Sequence, residues 1–405
     1  MNIFVINSGS SSIKYHLYKM PEGQSICSGI IDRIGLKGSV IQHKYWNEGE
    51  EKKVVLNMDI ADHENGLREV IYLIAHAESG VLNDPGEIEL VGHRIVHGGK
   101  EFTTPVLIDN NVKEKIKQTF QLAPLHNPPG FQGIEVAEKL FKNARQVAVF
   151  DTAFHQTMPE KAYRFAIPNS FYEDLNIRAY GFHGTSHQYV AAKAAKHLGS
   201  ETIKLISIHL GNGASITAIQ NGQSVDTSMG FGPLSGLVMG TRSGDIDPTV
   251  LLYLVNQAGY QLEEVSTLLN RESGMLGLTG YSDMRDITKS MQRGDQSARL
   301  AYDLYTYRIK KYIGAYVAAL NGVDAIIFTA GVGENDAIVR EMVCSNLDYL
   351  GIIPDLEKNS GKTVGIREIQ SNASRVKILV IPTNEELKIA EQCFGLFNKG
   401  YKSDL

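Results

Sequence analysis

The sequence predicts an α/β fold built from two related halves. Three observations point there. Short apolar runs of β type alternate with segments of helical periodicity, the pattern of strands packed under helices. One unit, strand then Gly-rich turn then strand, occurs twice about 200 residues apart, a spacing too long for a solenoid and right for a duplicated domain. The length, 405 residues, suits two domains of roughly 100–200 residues each.

The elements follow in order. Residues 3–6 (Ile-Phe-Val-Ile) read as a strand, Ser8-Gly9-Ser10-Ser11-Ser12 as a turn, and residues 13–18 as the returning strand. Residues 205–210 repeat the theme, followed by Gly211-Asn212-Gly213-Ala214-Ser215, a strand at 216–219 and a turn at Asn221-Gly222. A third Gly-rich turn, residues 330–335, follows the apolar run 325–329. Further strands are expected at 90–91, 147–150 and 376–381, and helices at 133–141, 186–198 and 295–321. The domain boundary is placed at Asp151. This gives an N-terminal domain 1–150, a nucleotide-binding domain 151–384, and a last helix 385–405 packing back on the first domain.

Composition narrows the function. Apolar residues make up 43% and charged residues 21%, so the chain is globular. The net charge is -5 and no Lys/Arg block forms a basic face, which argues against a nucleic-acid partner. No run approaches the ~18 apolar residues of a membrane span. The N-terminus turns polar at Asn7 without a basic leader, so a cytoplasmic protein is expected. Cys27, Cys344 and Cys393 form no CxxC pair, which leaves neither a disulfide framework nor a cysteine zinc site.

The motifs point to phosphate chemistry. Gly-rich polar turns let backbone N–H groups approach an anion, and Lys14 stands at the end of the first turn. The common fingerprints fail. Ser360-Gly361-Lys362-Thr363 ends like a P-loop, but Leu356 stands in place of its first glycine, and residues 331–336 lack the last glycine of a dinucleotide loop. His183 and His187 are four apart, yet the Glu of HExxH is missing and Gly184 weakens a helix there. A loop leading into a helix capped by Thr185 or Ser186 fits better. The segment 226–248 carries Arg242 among small residues, and Arg94 follows a strand. The two arginines are suited to clamping a carboxylate and a transferring phosphoryl group, or each pairs with a structural Asp. Asp151 closes an apolar strand, where α/β folds bind ligands or where an Asp caps a helix. Asn7, Asp151 and Glu385 offer the oxygen donors that Mg²⁺ takes.

In their order along the chain these motifs resemble the acetokinase family. The pieces are Asn7-Ser8-Gly9-Ser10-Ser11-Ser12 with Lys14, residues 92–99, His126-Asn127-Pro128, Asp151-Thr152-Ala153-Phe154-His155, residues 180–187, His209-Leu210-Gly211-Asn212-Gly213, residues 239–248, Ser282-Asp283-Met284-Arg285, residues 331–335, and Thr383-Asn384-Glu385-Glu386. The resemblance implies two actin/ribonuclease H-like domains, as in actin, sugar kinases and Hsp70. Each would be a mixed five-stranded sheet with flanking helices, and the active site would lie in the cleft between them. It implies reversible, Mg²⁺-dependent transfer of the ATP γ-phosphoryl group to acetate, giving acetyl phosphate and ADP, with Mn²⁺ as an alternative metal and a homodimer as the working form.

By the same resemblance Asn7 and Glu385 hold the metal. Lys14, His209, Leu210, Gly211, Asn212, Gly213, Asp283, Met284, Arg285, Gly331, Val332, Gly333, Glu334 and Asn335 surround ATP. Arg94 contacts acetate, with Val96, Leu125, Phe182 and Pro233 around its methyl group. Asp151 is the catalytic acidic residue, moving a proton or orienting Mg²⁺ or the carboxylate, and His183 and Arg242 stabilise the transition state. Two departures stand out: Gly232-Pro233-Leu234-Ser235-Gly236 where the family usually reads Thr-Pro-Leu-Glu-Gly, and Ala330 where Gly is common. These bear on the acyl chain, where propionate or another short-chain acid is the nearest alternative substrate. A sugar or polyol kinase, using Asp151 as base, is a more distant alternative. A chaperone-like nucleotide clamp would call for a peptide-binding module after the ATPase.

Overall fold

In the computed structural model, which describes residues 1–47, 49–75 and 78–401, the chain forms two compact units. One is Met1–Ala153 joined by the chain from Asn384 onward; the other is Phe154–Thr383. Each is built on one sheet.

The first unit carries β1 (Asn2–Ser8), β2 (Ser12–Lys19), β3 (Gln24–Asp32), β4 (Ser39–Asn47), β5 (Glu50–Met58), β6 (Ile88–Ile95), β7 (Val106–Leu107) and β8 (Arg145–Phe150), in the order β5-β4-β3-β2-β1-β6-β8-β7. The second carries β9 (Lys204–Leu210), β10 (Ala214–Gln220), β11 (Gln223–Thr227), β12 (Ala325–Thr329), β13 (Arg367–Glu368) and β14 (Lys377–Val380), in the order β11-β10-β9-β12-β14-β13. The duplication is visible in the pairing. In both units an antiparallel three-strand meander is followed by two parallel strands, giving β3-β2-β1-β6-β8 in one and β11-β10-β9-β12-β14 in the other.

The sheets have eight and six strands rather than the five expected. The repeated core has five. The first sheet continues its meander through β4 and β5, the latter with a charged, half-exposed sequence that carries little apolar signal, and β7 and β13 are two-residue edges.

The β1 run is apolar on both faces because both are covered. Phe4 and Ile6 face a core completed by Val136 and Ala137 of the helix Asn127–Leu140. Ile3 and Val5 face Ile389, Ala390 and Cys393 of the last helix, Glu385–Tyr401. Gly92 permits that second contact: a Cβ there would lie 2.8 Å from Cys393 Sγ and 2.9 Å from Ile389 Cγ2. Residues 402–405 of the expected last helix lie outside the described residues.

The long helix is Gln296–Leu320, as its periodicity predicts, with Asp295 accepting from the Ser297 and Ala298 N–H groups and Asn321 closing it in the left-handed region. The expected turn at 330–335 is instead a short helix, Ala330–Asn335. The helix expected from 186 starts earlier, at Gly184, so Thr185 and Ser186 lie in its first turn and neither is the N-cap. That position belongs to His183, whose φ of 56° lies in the left-handed region. No helix among the described residues is long and apolar enough to cross a membrane.

Candidate active site

The first unit gathers five of the predicted residues. Arg94, near the end of β6, and Asp151, just after β8, come from neighbouring parallel strands. Arg94 forks onto Asp151, with Nε 3.1 Å and Nη2 2.6 Å from Oδ2, and Asp151 is 1% exposed. The same Nη2 lies 3.6 Å from Glu385 Oε2 in the first turn of the last helix. Burial opposes the Arg94 charge, but Asp151 and Glu385 outweigh it and hold the guanidinium above its ordinary value. Burial is also the main force on Glu385. It pushes that carboxyl upward, with Arg94 opposing and Asp151 and Glu386 adding to the rise. Asn7 lies opposite Lys14 in the β1–β2 register, and Lys14 Nζ is 2.5 Å from Glu386, which brings Asn7 to the same end of the last helix. Val96 is half-buried and Leu125 is 58% exposed.

The second unit holds the other group. His183 is turned into the left-handed region, a conformation that costs a non-Gly residue about 1 kcal/mol or more. Its Nδ1 is 2.9 Å from Ser215 Oγ, and its ring stacks on His209 at 4.2 Å. Arg242 comes from a long segment outside helix and strand that is tied to itself. The Gly236 N–H donates to Asp245 Oδ1 at 2.7 Å, and the Met239 N–H donates to the Arg242 carbonyl at 3.1 Å. The guanidinium donates to the Pro233 carbonyl at 2.7 Å and meets no carboxylate among the described residues. Burial alone lowers its pKa. His183 and Arg242 converge on Gly213, where a Cβ would stand 3.3 Å from His183 Nε2 and 3.4 Å from Arg242 Nη2. The arginines therefore differ. Arg94 has carboxylate partners; Arg242 is a half-buried cation facing a glycine turn.

Beside that turn opens a cleft of about 890 Å³. Gly211, Asn212, Asp283, Met284, Arg285, Gly331, Val332 and Asn335 line it. Asp283 caps the helix Met284–Gln292 and is forked by Arg285, which holds its carboxyl at about 2. The remaining residues expected around ATP lie elsewhere. His209 stacks on His183, Leu210 is buried, Gly213 faces His183 and Arg242, and Gly333 packs on the Phe328 backbone. Glu334 accepts from the Thr383 N–H, and Lys14 belongs to the first unit. Phe182 is buried and precedes His183; Pro233 bonds Arg242.

The acetokinase family profile matches residues 2–391. The chain belongs to this family. An acetate kinase of Flavobacterium johnsoniae is 52% identical over 396 residues, covering 98% of this chain and 99% of that protein. Among solved structures, Porphyromonas gingivalis acetate kinase matches with a TM-score of 0.91 and 44% identity, covering 98% of this chain and 99% of the other. A propionate kinase from Francisella tularensis matches with a TM-score of 0.91 and 41% identity, covering 97% and 99%.

The two departures of this acetokinase have local consequences. Ser235, where the family usually has Glu, accepts from the Gly230 N–H at 3.0 Å and closes the turn that contains Pro233. Ala330 has a φ of 64°. Replacing it by Gly relieves left-handed strain of about 1–2 kcal/mol and gives back up to about 1 kcal/mol in unfolded-chain entropy. We expect Ala330→Gly to raise the urea midpoint of the second unit, by about 0.5–1 kcal/mol in stability.

Met275, Thr288, Tyr305 and Ile338 also line the cleft and stand in no motif; they come from four separate helices and carry no local signature. Nor did it assign a role to Asn127, whose buried amide bonds the His97 N–H and carbonyl and so clips the segment after Arg94.

At the start of the long segment, burial lifts Asp226 to about 6, against the Thr227 N–H. A raised carboxyl stabilises the fold below its unfolded value and loses that contribution as pH rises through the folded one. Asp226→Asn should therefore leave stability unchanged near pH 4 and increase it above pH 6, by about 2–3 kcal/mol. Urea unfolding at pH 4 and pH 7.5 measures both.

Proposed function

We propose that the protein is an acetate kinase, transferring the γ-phosphoryl group of ATP to acetate and back by direct in-line displacement. The observation that carries this is Arg242: a half-buried guanidinium with no carboxylate partner among the described residues, beside His183 and the Gly213 turn, next to a nucleotide-sized cleft. A carboxylate oxygen attacks the γ-phosphorus, the bond to the β,γ-bridging oxygen breaks, and ADP leaves. Acetate is already ionised at neutral pH, so no base has to be generated, and the step needs positioning and positive charge. Arg242 supplies that charge and His183 a hydrogen-bond donor to the phosphoryl oxygens; Arg94, oriented by Asp151, receives the acetate carboxylate.

The donor set fits Mg²⁺, or Mn²⁺ in its place. Asn7 and Glu385 are hard oxygen donors, and Glu385 shares its surroundings with the carboxylates of Asp151 and Glu386 as well as with Arg94. The ion would screen the phosphate charge and orient the phosphates. We place the enzyme in the cytoplasm, acting on small molecules without nucleic-acid or membrane partners.

We also propose a homodimer. The helix Pro248–Asn256 buries none of its residues, and Leu252 and Tyr253 are 61% and 63% exposed beside exposed Leu262. Leu252→Asp should convert a particle of twice 44.6 kDa into one of that mass in sedimentation equilibrium. An unchanged dimer would move the interface elsewhere.

A second reading, a propionate or broader short-chain acyl kinase, is favoured by the Gly232 and Ser235 departures and by the Francisella tularensis neighbour. One methylene separates the substrates by only about 1–3 kcal/mol. A hydroxamate assay with Mg-ATP and acetate, propionate or butyrate decides between them, with glycerol and glucose followed by ADP release. Faster turnover of propionate selects the second reading. ADP release with a polyol alone, and no hydroxamate, ends both.

A further inference from the structure

The sheet face beneath the helix Gly184–Leu198 is unusual. Cross-strand partners in β9 and β10 are Ser215 with His209 and Thr217 with Ser207, so these four side chains share a face. All four are buried where a helix ordinarily covers Val, Ile and Leu. His187, 0% exposed, comes down from the helix onto this face. Its Nδ1 is 2.8 Å from Ser207 Oγ and its Nε2 2.8 Å from Ser215 Oγ. Ser215 Oγ is in turn 2.9 Å from His183 Nδ1. The result is one continuous chain: Ser207, His187, Ser215, His183.

Each hydroxyl has one proton to donate, and each neutral imidazole has one N–H. The chain can therefore run in two senses that use every proton; were both histidines to donate to Ser215 instead, its own buried proton would have no acceptor in the chain. In the first, Ser207 donates to His187 Nδ1, His187 Nε2–H donates to Ser215, and Ser215 donates to His183 Nδ1. His183 then carries its proton on Nε2, the atom near Gly213 and Arg242. In the second every bond reverses, and Nε2 presents a lone pair, which repels an anion. The stacked His209 ring, held through Nδ1 by Ser186 Oγ at 2.8 Å, fixes the plane of His183, and the Arg242 guanidinium on the other side of Gly213 disfavours a second positive charge there. The choice of tautomer is thus the way His183 offers a donor.

We propose that Ser215, backed by His187, is a positioning residue that holds His183 in the Nε2–H tautomer for the transferring phosphoryl group. This rests on the reading of His183 as a phosphoryl contact. Without the Ser215 hydroxyl the His183 ring loses both its proton assignment and the anchor that stops it turning.

The test has two parts. In wild-type enzyme with ring-¹⁵N histidine, assigned by comparison with His183→Gln and bound to Mg-ADP, the His183 signals should be those of Nε2–H. An Nδ1–H tautomer overturns the proposal whatever the kinetics, and this measurement stands even if Ser215 variants fail to fold. Ser215→Ala should lower kcat by about tenfold, as loss of one working hydrogen bond does, with both KM values within about twofold. In the His183→Gln background the same substitution should change kcat by less than about twofold, because its route through His183 is gone. Equal losses in both backgrounds would overturn the proposal. A wild-type kcat in His183→Gln alone would instead remove His183 from the phosphoryl site, and the tautomer measurement would still stand as a separate result.

Discussion

Arg242→Ala should cost kcat about 10²–10³, or roughly 3–4 kcal/mol of transition-state stabilisation, while the KM values change little. The fold should hardly notice. Burial disfavours the Arg242 charge, and no carboxylate among the described residues compensates it. Its removal relieves that cost while losing one bond to the Pro233 carbonyl, for which a net change within about 1 kcal/mol is expected. The pairing of large kinetic loss with small stability change is what separates a cation kept for an anionic transition state from one kept for the core. Arg242→Lys should recover only part of the rate, since a point charge cannot replace a planar fork. Thermal and kinetic measurements on the same preparations test both halves. A wild-type kcat removes Arg242 from the chemistry; a large drop in melting temperature makes it structural.

The sequence carried the architecture well where the signal is local. The two hairpins, β1–β2 and β9–β10, appear within a residue or two of the apolar runs that predict them, and Gln296–Leu320 has its caps written in Asp295 and Asn321. Strand β5 was unreadable because its residues are largely charged or half-exposed and its place comes from pairing along an existing meander; in β4 the buried face of Ser39, Ile41, His43 and Tyr45 mixes polar with apolar residues, which blurs the alternation. The site divides similarly. Residues sitting in conspicuous Gly-rich turns could be found, although the last of those turns proved to be a helix. Residues acting through long-range contacts could not: Asn127 and Ser215 look like ordinary polar residues until the fold places His97 and His183 against them. The bare sequence could not say which arginine was paired either, since Arg94 and Asp151 are 57 residues apart and meet only because β6 and β8 run side by side.

That pairing sets the second expectation, which runs opposite to the first. Arg94→Met leaves Asp151 buried without its guanidinium. Breaking a buried ion pair from one side costs about 3–5 kcal/mol, so the first unit should be severely destabilised as well as inactive. Replacing both partners, as Arg94→Met with Asp151→Leu, removes the stranded charge and should restore stability to within about 1–2 kcal/mol of wild type, because an apolar pair avoids the desolvation cost that the ion pair only roughly repays. Activity should stay absent in both, since the acceptor carboxylate has lost its fork. Glu385 sets the limit of the rescue. Its carboxyl is already lifted by burial, and Arg94 lowers it more than Asp151 raises it. The double variant therefore lifts it further. A raised carboxyl contributes stability at low pH that is lost as pH rises, so the rescue should be more complete at pH 5 than at pH 8. Urea unfolding of the single and double variants at the two pH values measures this directly. A double variant no more stable than Arg94→Met would mean that Arg94 holds the unit together through contacts other than Asp151. A double variant that still forms acetyl hydroxamate would mean that acetate is bound elsewhere.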